Sequence, residues 1–514
     1  MTPRNITHST KARDALVRGA NTLARAVGAT LGPSGRIVLI DDRFGRVVAT
    51  KDGVTVAKAV HLPNQEEQMG ASLLRDAAIK VAETCGDGTT TCVVMAAKLL
   101  EEATKLVHGG ADLVKLVREI EDAAGCAENL IMSRSQPAIG VGWDQRIANV
   151  SGNHDPRVTQ SVALAFDHVG ANGSISIRDG NTDRIEVDRQ EGFRIERGHF
   201  AAGLTPESGL IELEDALVLI TNRTLTSGVE LIPILQAAAA ANLSLLIVCD
   251  GLVGEALETV TGNHRAGSIR VAAVRAPGFE GRQWDMLHDL AVWCDAEVQD
   301  IATGRLDAAK LGAVANVTQD RSRTILRNPI GQNVPALTSR IKNLESVRDT
   351  TSNEYDLDKA IERIGRLRGR VVEIRVGAPT ETEAREIKDR IEDALHAVRI
   401  AHRDGVQPGG GTALLRAAHW LEMKQTLGAQ AVRTALREPA AKIARNAGTP
   451  EHLAPMTVAI DLSWNTGCTA DGEPVDMMQF PDPTAVVVGA LRAAVSVVTT
   501  LLLAETSITI EERR

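Results

Sequence analysis

Apolar residues recur at helical spacing through about the first 130 positions. Within 9–31, Leu16, Ala20, Leu23 and Val27 fall on one stripe behind Ser9, a candidate N-cap. Leu31-Gly32-Pro33 stops that pattern, because glycine accepts a left-handed helix end and proline cannot continue it. Two short β patterns follow at 36–40 and 46–50, joined by a turn at 41–45, and Lys51-Asp52-Gly53 reads as a tight turn. Three helical patterns then fill 66–133. The middle one follows Gly86-Asp87-Gly88 and carries Val93, Ala96, Leu100, Ala103 and Val107 on its apolar stripe. The next carries Leu113, Leu116, Ile120, Ala124, Ala127 and Ile131.

After Pro137 the period changes. Strand patterns lie at 174–177, 185–188, 216–221, 243–249 and 269–274, with helical patterns at 229–242 and 254–264 between the last three. That alternation predicts a βα-type unit with a partly parallel sheet. From 380 helix dominates again: Thr380 and Glu383 form a capping-box pair, the helix runs to about Arg403, and Asp404-Gly405 ends it. Further helices reach the C-terminus, with irregular chain at 461–484. The fold class predicted is multidomain α+β and α/β, with the two helical ends packing together around the inserted βα unit.

At roughly 100–200 residues per domain, 514 residues suggest two to four domains. Aromatics are 2% of the chain and the net charge is −9, which argues against stacking platforms for single strands and against a duplex-binding surface, so no nucleic-acid partner is expected. Six cysteines without a C-x-x-C pair read as free thiols. The twelve histidines show no metal-ligand spacing. The N-terminus lacks an apolar signal core, and the longest apolar runs, 485–488 and 501–504, are too short to span a bilayer. A cytoplasmic location without membrane association is the expectation.

Three glycine-bearing segments could carry chemistry. Gly86-Asp87-Gly88-Thr89-Thr90-Thr91 opens a helix, where converging N–H groups and the helix dipole favour phosphate and Asp87 suits Mg²⁺; a flexible turn with a threonine cap fits the same residues. Thr30-Leu31-Gly32-Pro33-Ser34-Gly35 is either a close backbone approach to a ligand or a plain helix stop. Gly409-Gly410-Gly411 precedes a helix and fits a nucleotide contact or a hinge. Asp52, in a turn, and Asp393, inside the 380–403 helix, are candidate acids for orienting water in phosphoryl transfer. The stretch 245–250 mimics a Walker B strand, but no G-x-x-x-x-G-K-[ST] accompanies it, and no G-x-S-x-G elbow is present.

The order and spacing of these segments resemble the group I chaperonins, the GroEL type. Residues 30–33, 51–53, 86–91, Glu-Asp-Ala-Leu-His-Ala at 392–397 and 409–411 carry the likeness. Gly198, 255–257 and 271–279 extend it through the middle, and Asn465 with Asp482-Pro483-Thr484 near the end, so that it covers about 5–508. The resemblance implies an equatorial ATPase domain (1–135 and 404–514), an intermediate domain (136–190 and 372–403) and an apical domain (191–371). It also implies homo-oligomeric stacked seven-membered rings, ATP with Mg²⁺ and K⁺, non-native polypeptides as clients and a small lid-forming co-chaperonin.

Carried over by position, Asp87 would hold Mg²⁺, while Thr30 and Lys51 would offer carbonyls to K⁺. Gly32, Gly53, Gly86, Gly88, Thr89, Thr90 and Thr91 would surround the phosphates. Leu31, Pro33, Gly410, Asn465 and Asp482 would enclose the nucleoside, with Asp52 and Asp393 orienting the attacking water. Arg197 and Glu381 match an intersubunit ion pair. On the client face, Leu204, Ile232, Leu235 and Leu257 keep the family's apolar character. His199, Gly203, Thr261 and Gly262 replace aromatic or aliphatic residues, Ser34 replaces a basic one, Trp464 replaces Tyr, and the end at 510–514 lacks a Gly-Met-rich tail. These departures suggest a specialised paralogue, or an oligomeric holding protein with narrow clients. Drift in a divergent lineage accounts for them equally. An unrelated metal-dependent phosphotransferase is a third reading.

Overall fold

The computed structural model describes residues 4–41, 47–140, 142–170, 173–200, 202–206, 209–278, 281–300, 305–351, 353–461, 463–469 and 472–510. The turn expected at 41–45, Phe279 and the tail at 511–514 therefore lie wholly or mostly outside the described residues. Two compact units emerge: Met1–Ala163 with Ala378–Arg514, and Leu164–Gly377.

The first unit is a helical body formed from both ends of the chain, as the periodicity predicted. Helices Ser9–Gly28, Gln65–Cys85, Thr89–His108, Leu113–Ser133, Leu427–Ala447 and Thr484–Leu503 share one core, built around Leu23, Leu74, Met95, Leu100, Ile120, Leu436 and Val498. Thr484–Leu503 corrects the sequence reading. As a helix it is long and apolar enough to cross a membrane, with mean hydropathy 2.2, because short apolar runs broken by single polar residues add up over 20 residues. Here 67% of its most apolar stretch is buried inside the protein. Small Ala, Val and Gly side chains let neighbouring helices close on it from several sides.

Two β-pairs decorate this unit. Val38–Asp41 pairs antiparallel with Val47–Thr50, near the expected hairpin. Arg4–His8 pairs antiparallel with Thr506–Ile510, joining the chain ends in a way the sequence did not reveal. The helix Glu381–Asp404 starts at the predicted cap, where Thr380 Oγ1 accepts from the Glu383 amide at 3.2 Å. Glu383 does not complete the reciprocal half of the box; its carboxylate pairs with Arg157 at 3.4 Å.

The second unit holds a six-stranded sheet in the order Val271–Arg275, Ser244–Cys249, Ile211–Ile220, Gly312–Gln319, Thr324–Pro329, Phe193–Ile195. The first three strands run parallel and the others antiparallel. Gly228–Ala241 and Gly254–Arg265 cover one face, with Leu219, Leu245 and Ile247 beneath them. Gly281–Trp293, Val334–Thr350 and Glu354–Leu367 cover the other, over Val218, Leu246 and Val274. A three-stranded sheet lies beside it, with Arg370–Val376 between Ser174–Asp179 (parallel) and Ile185–Glu191 (antiparallel).

Charges tie the two sheets together. Arg194, on the six-stranded sheet, meets Glu373, on the three-stranded sheet, at 2.5 Å, with both side chains buried. Glu373 also receives Arg375 at 2.8 Å, and Arg194 reaches Glu196 at 2.8 Å. Burial works against the Glu373 carboxylate, but hydrogen bonds from Arg194 and Arg375 outweigh it and hold its pKa below the ordinary value.

Candidate functional site

Helix ends and turns of the first unit converge on a cleft of about 660 Å³. One wall begins where the Ser9–Gly28 helix stops. Gly32 takes a left-handed conformation (φ +83), and Asn446 donates to the Gly28 and Leu31 carbonyls at 3.0 and 2.9 Å, fixing the loop that carries Leu31 and Pro33. The hydroxyl of Thr30 lies 3.5 Å from that of Thr90.

Asp52 caps the helix Gly53–Ala59, its two oxygens accepting from the Val54 and Thr55 amides at 3.1 and 2.7 Å. Gly53 follows because nothing larger fits: a Cβ there would lie 2.3 Å from Thr90 Oγ1. Opposite, Gly88 is left-handed (φ +89) and starts Thr89–His108, so that Asp87 accepts from the Gly88 amide at 2.5 Å. The third segment is held by the pairing of Val406–Pro408 with Pro481–Pro483, which sets Gln407 opposite Asp482 and leads into Gly410.

The cleft is lined by Thr30, Leu31, Gly32, Pro33, Lys51, Asp52, Gly53, Asp87, Gly88, Thr89, Thr90, Thr91, Asp393, Gly410 and Asp482. Two of the sequence-predicted residues do not line it. Gly86 ends the Gln65–Cys85 helix in a left-handed cap. Asn465 accepts from Gln136 at 3.2 Å and braces Met477 through its carbonyl at 2.9 Å. Trp464 likewise is engaged elsewhere, donating to Gln407 at 3.0 Å.

Sequence reasoning missed Ser151, His154, Glu386, Asp389 and Phe480, which also face the cleft. Asp389 sits one helical turn before Asp393, a spacing that would have placed the two acids on one face. Ser151, His154 and Phe480 had no local signature.

Five aspartates now share one space, and their mutual repulsion is visible. Burial raises the pKa of Asp87, and Asp52 raises it further, against the hydrogen bond from Gly88. Asp393 is exposed on the cleft lining yet walled by protein. Desolvation, then Asp87 and Asp52, push it up to about 8. Asp482 is driven to about 7 by burial and by Asp87, and Asp389 is raised by burial and Asp52. Lys51 and Arg390 share the lining with these acids, and Asp87, a hard oxygen donor beside a glycine-lined wall, fits a divalent cation bound with a polyphosphate.

The predicted client-face residues lie on the second unit, and there the expectation needs correction. Leu204 and Leu235 are 2% and 6% exposed and belong to the core under the sheet face. Leu235 falls on the stripe of Leu231, Ile234 and Ala238 that faces the strands, so its apolar character serves folding. Ile232 is exposed, as are Val229 and Val253, which were not anticipated; Leu257 is half-buried. Gly203 abuts Thr261, where a Cβ would lie 2.7 Å from Cγ2, whereas Gly262 faces open space. His199 bridges Val274 through its backbone, and its Nε2 is buried without a hydrogen-bond partner.

The sequence profile of the TCP-1/cpn60 chaperonin family matches residues 23–230 and 233–511. The chain belongs to that family. Among solved structures, this chaperonin is similar to the chaperonin gp146 from bacteriophage EL 2 (Pseudomonas aeruginosa), crystallised in the presence of ATP-BeFx in two crystal forms. Identity is 20%, 99% of each chain is covered, and the TM-scores are 0.64 and 0.58. At that identity the likeness establishes the fold: a divergent chaperonin of multidomain α+β and α/β architecture, as the motifs implied.

Proposed function

We propose that this chaperonin is an ATP-driven foldase subunit. The observation that carries the reading is the convergence of Asp52, Asp87 and Asp393 with three glycine-bearing segments on one cleft. In this reading Asp87 holds Mg²⁺, which when bound neutralises phosphate charge, and the Thr30 and Lys51 carbonyls serve K⁺. The amides and hydroxyls at 88–91 hold the phosphates, and Leu31, Pro33, Gly410 and Asp482 enclose the nucleoside. Asp393 takes up or releases a proton near neutral pH, the range in which a general base for water works best. Because Asp393 rides on a long helix, helix movement would make or break the site, coupling turnover to shape change.

We also propose the wider organisation that the family carries. It comprises equatorial, intermediate and apical parts at the boundaries given above, and cytoplasmic homo-oligomeric rings, seven-membered and stacked, that enclose non-native polypeptides under a lid-forming co-chaperonin. Self-assembly is supported by the two small β-pairs, whose open edges carry exposed Ile6, Ile508, Leu39 and Val47. A second reading, a holding protein with narrow clients, is favoured by the burial of Leu204 and Leu235 and by the bare surface at Gly262. The test is K⁺-dependent ATP turnover of the purified oligomer, with and without an unfolded protein and a co-chaperonin. Tight ATP binding with no turnover would exclude the foldase and leave the holding protein.

A further inference from the structure

We infer that His154 contacts the bound nucleotide, donating from Nε2–H to a ribose hydroxyl oxygen, with Phe480 as the ring it leans against. The inference rests on the nucleotide reading of the cleft and assigns a residue to its nucleoside end.

The segment 151–154 runs along the cleft wall. At its start, Ser151 lines the cleft beside Asp87, in the acid cluster, and acts to lower its pKa. At its end, the His154 ring sits edge-on to Phe480, with centroids 6.3 Å apart and planes at 72°. Phe480 is two residues from Asp482, and the helix Trp143–Ser151 packs against Pro481–Pro483. His154 therefore stands beside the strand that carries Asp482, which the nucleotide reading sets against the nucleoside.

Its placement is held at a cost. Asn153 and His154 are both left-handed (φ 56 and 58), a conformation unfavourable for side chains with a Cβ. The His154 amide donates to the Asn149 carbonyl at 2.8 Å, which keeps the turn. The Asn149 amide nitrogen lies 3.0 Å from His154 Nδ1. With the Asn149 amide oriented as here, Nδ1 accepts and the ring hydrogen sits on Nε2. The side chain is exposed to the cleft, and burial of part of the ring holds its pKa below the ordinary histidine value. It is thus an oriented donor beside an apolar ring, placed to recognise a hydroxyl.

The test is the affinity of the intact oligomer for Mg·ATP, Mg·2′-deoxy-ATP and Mg·3′-deoxy-ATP, by calorimetry, in wild type, His154→Phe and His154→Gln. Phe keeps the edge contact and removes the donor, and it should weaken ATP binding about 3–10-fold. Gln restores an N–H near the Nε2 position and should stay within about twofold of wild type. The Phe penalty should vanish on one of the two deoxy nucleotides. If Phe resists the left-handed backbone and the variant misfolds, His154→Asn, which tolerates that conformation but is too short to reach, carries the same comparison. An equal penalty on all three nucleotides, or none, overturns the contact while nucleotide binding by wild type stands. Absence of any wild-type binding overturns the nucleotide reading as well.

Discussion

The Arg194–Glu373 pair allows a quantitative test of how the two sheets of the second unit are joined. The side chains are 4% and 5% exposed. Glu373→Val removes the anion and leaves Arg194 in a dry site, and losing one partner of a buried pair costs about 3–5 kcal/mol. Arg194 keeps Glu196 at 2.8 Å, on a carboxylate 35% exposed, so the lower end of that range applies, about 3 kcal/mol. Arg194→Met combined with Glu373→Val removes both buried charges and fills the space with apolar groups. The double variant should therefore return to within about 1 kcal/mol of wild type. Arg375 and Arg178, the other partners of Glu373, are partly exposed and turn to water. For a unit of 214 residues (Leu164–Gly377), about 2–4 °C per kcal/mol gives a fall of about 6–12 °C for the single variant. Thermal melts, with hydrogen exchange at 370–376, measure it. A double variant destabilised by the sum of the two singles would refute the reasoning.

Asp393 gives a pH prediction. Its folded pKa of about 8 lies above the unfolded carboxylate value of about 3.9, so the folded state binds the proton more tightly. Stability from this group is complete below pH 4 and is lost as pH rises toward 8. Wild type should melt lower at pH 8 than at pH 5, and Asp393→Asn should flatten that slope; equal slopes would contradict the strained cluster. The same variant should bind ATP within about threefold of wild type and turn it over at least 100-fold more slowly, in the range of general-base loss. Gly409→Ala places a Cβ 1.9 Å from the Phe480 carbonyl oxygen. It should cost about 1–3 kcal/mol and shrink the melting shift produced by Mg·ATP; an unchanged melt would show that the segment yields freely. Val229→Asp with Ile232→Asp should cut capture of an unfolded protein at least fivefold with no change in melting temperature, whereas full capture would move the client face elsewhere.

Long helices were legible because their stripes are long. The Thr89–His108 and Leu113–Ser133 helices carry the predicted apolar positions, and Thr89–His108 starts where Gly86-Asp87-Gly88 predicted. The parallel strands were plain where both faces are buried, as at Ser244–Cys249 and 216–220, whereas Glu212, Glu214 and Asp215 hid the first half of Ile211–Ile220. Gly312–Gln319 and Thr324–Pro329 escaped notice because Asn, Thr, Gln and Arg interrupt them. The strands at the chain ends are five residues each and pair only with one another. At the cleft, acids flanked by glycine announced themselves. Asp389 was legible from its four-residue spacing to Asp393, whereas Ser151 and His154 are placed by helix packing, which no local spacing encodes. Apolar composition identified Leu235, but only the sheet beneath it decided which way it faces.

Asp52 spends both carboxylate oxygens on the amides that open the next helix. An alanine scan would therefore report a sum at this position: the missing charge, plus about 1 kcal/mol of unravelled first turn. Asparagine keeps a cap and drops the charge. Only the comparison of Asp52→Asn with Asp52→Ala separates chemistry from scaffolding, because each oxygen that caps the turn keeps a lone pair for a ligand.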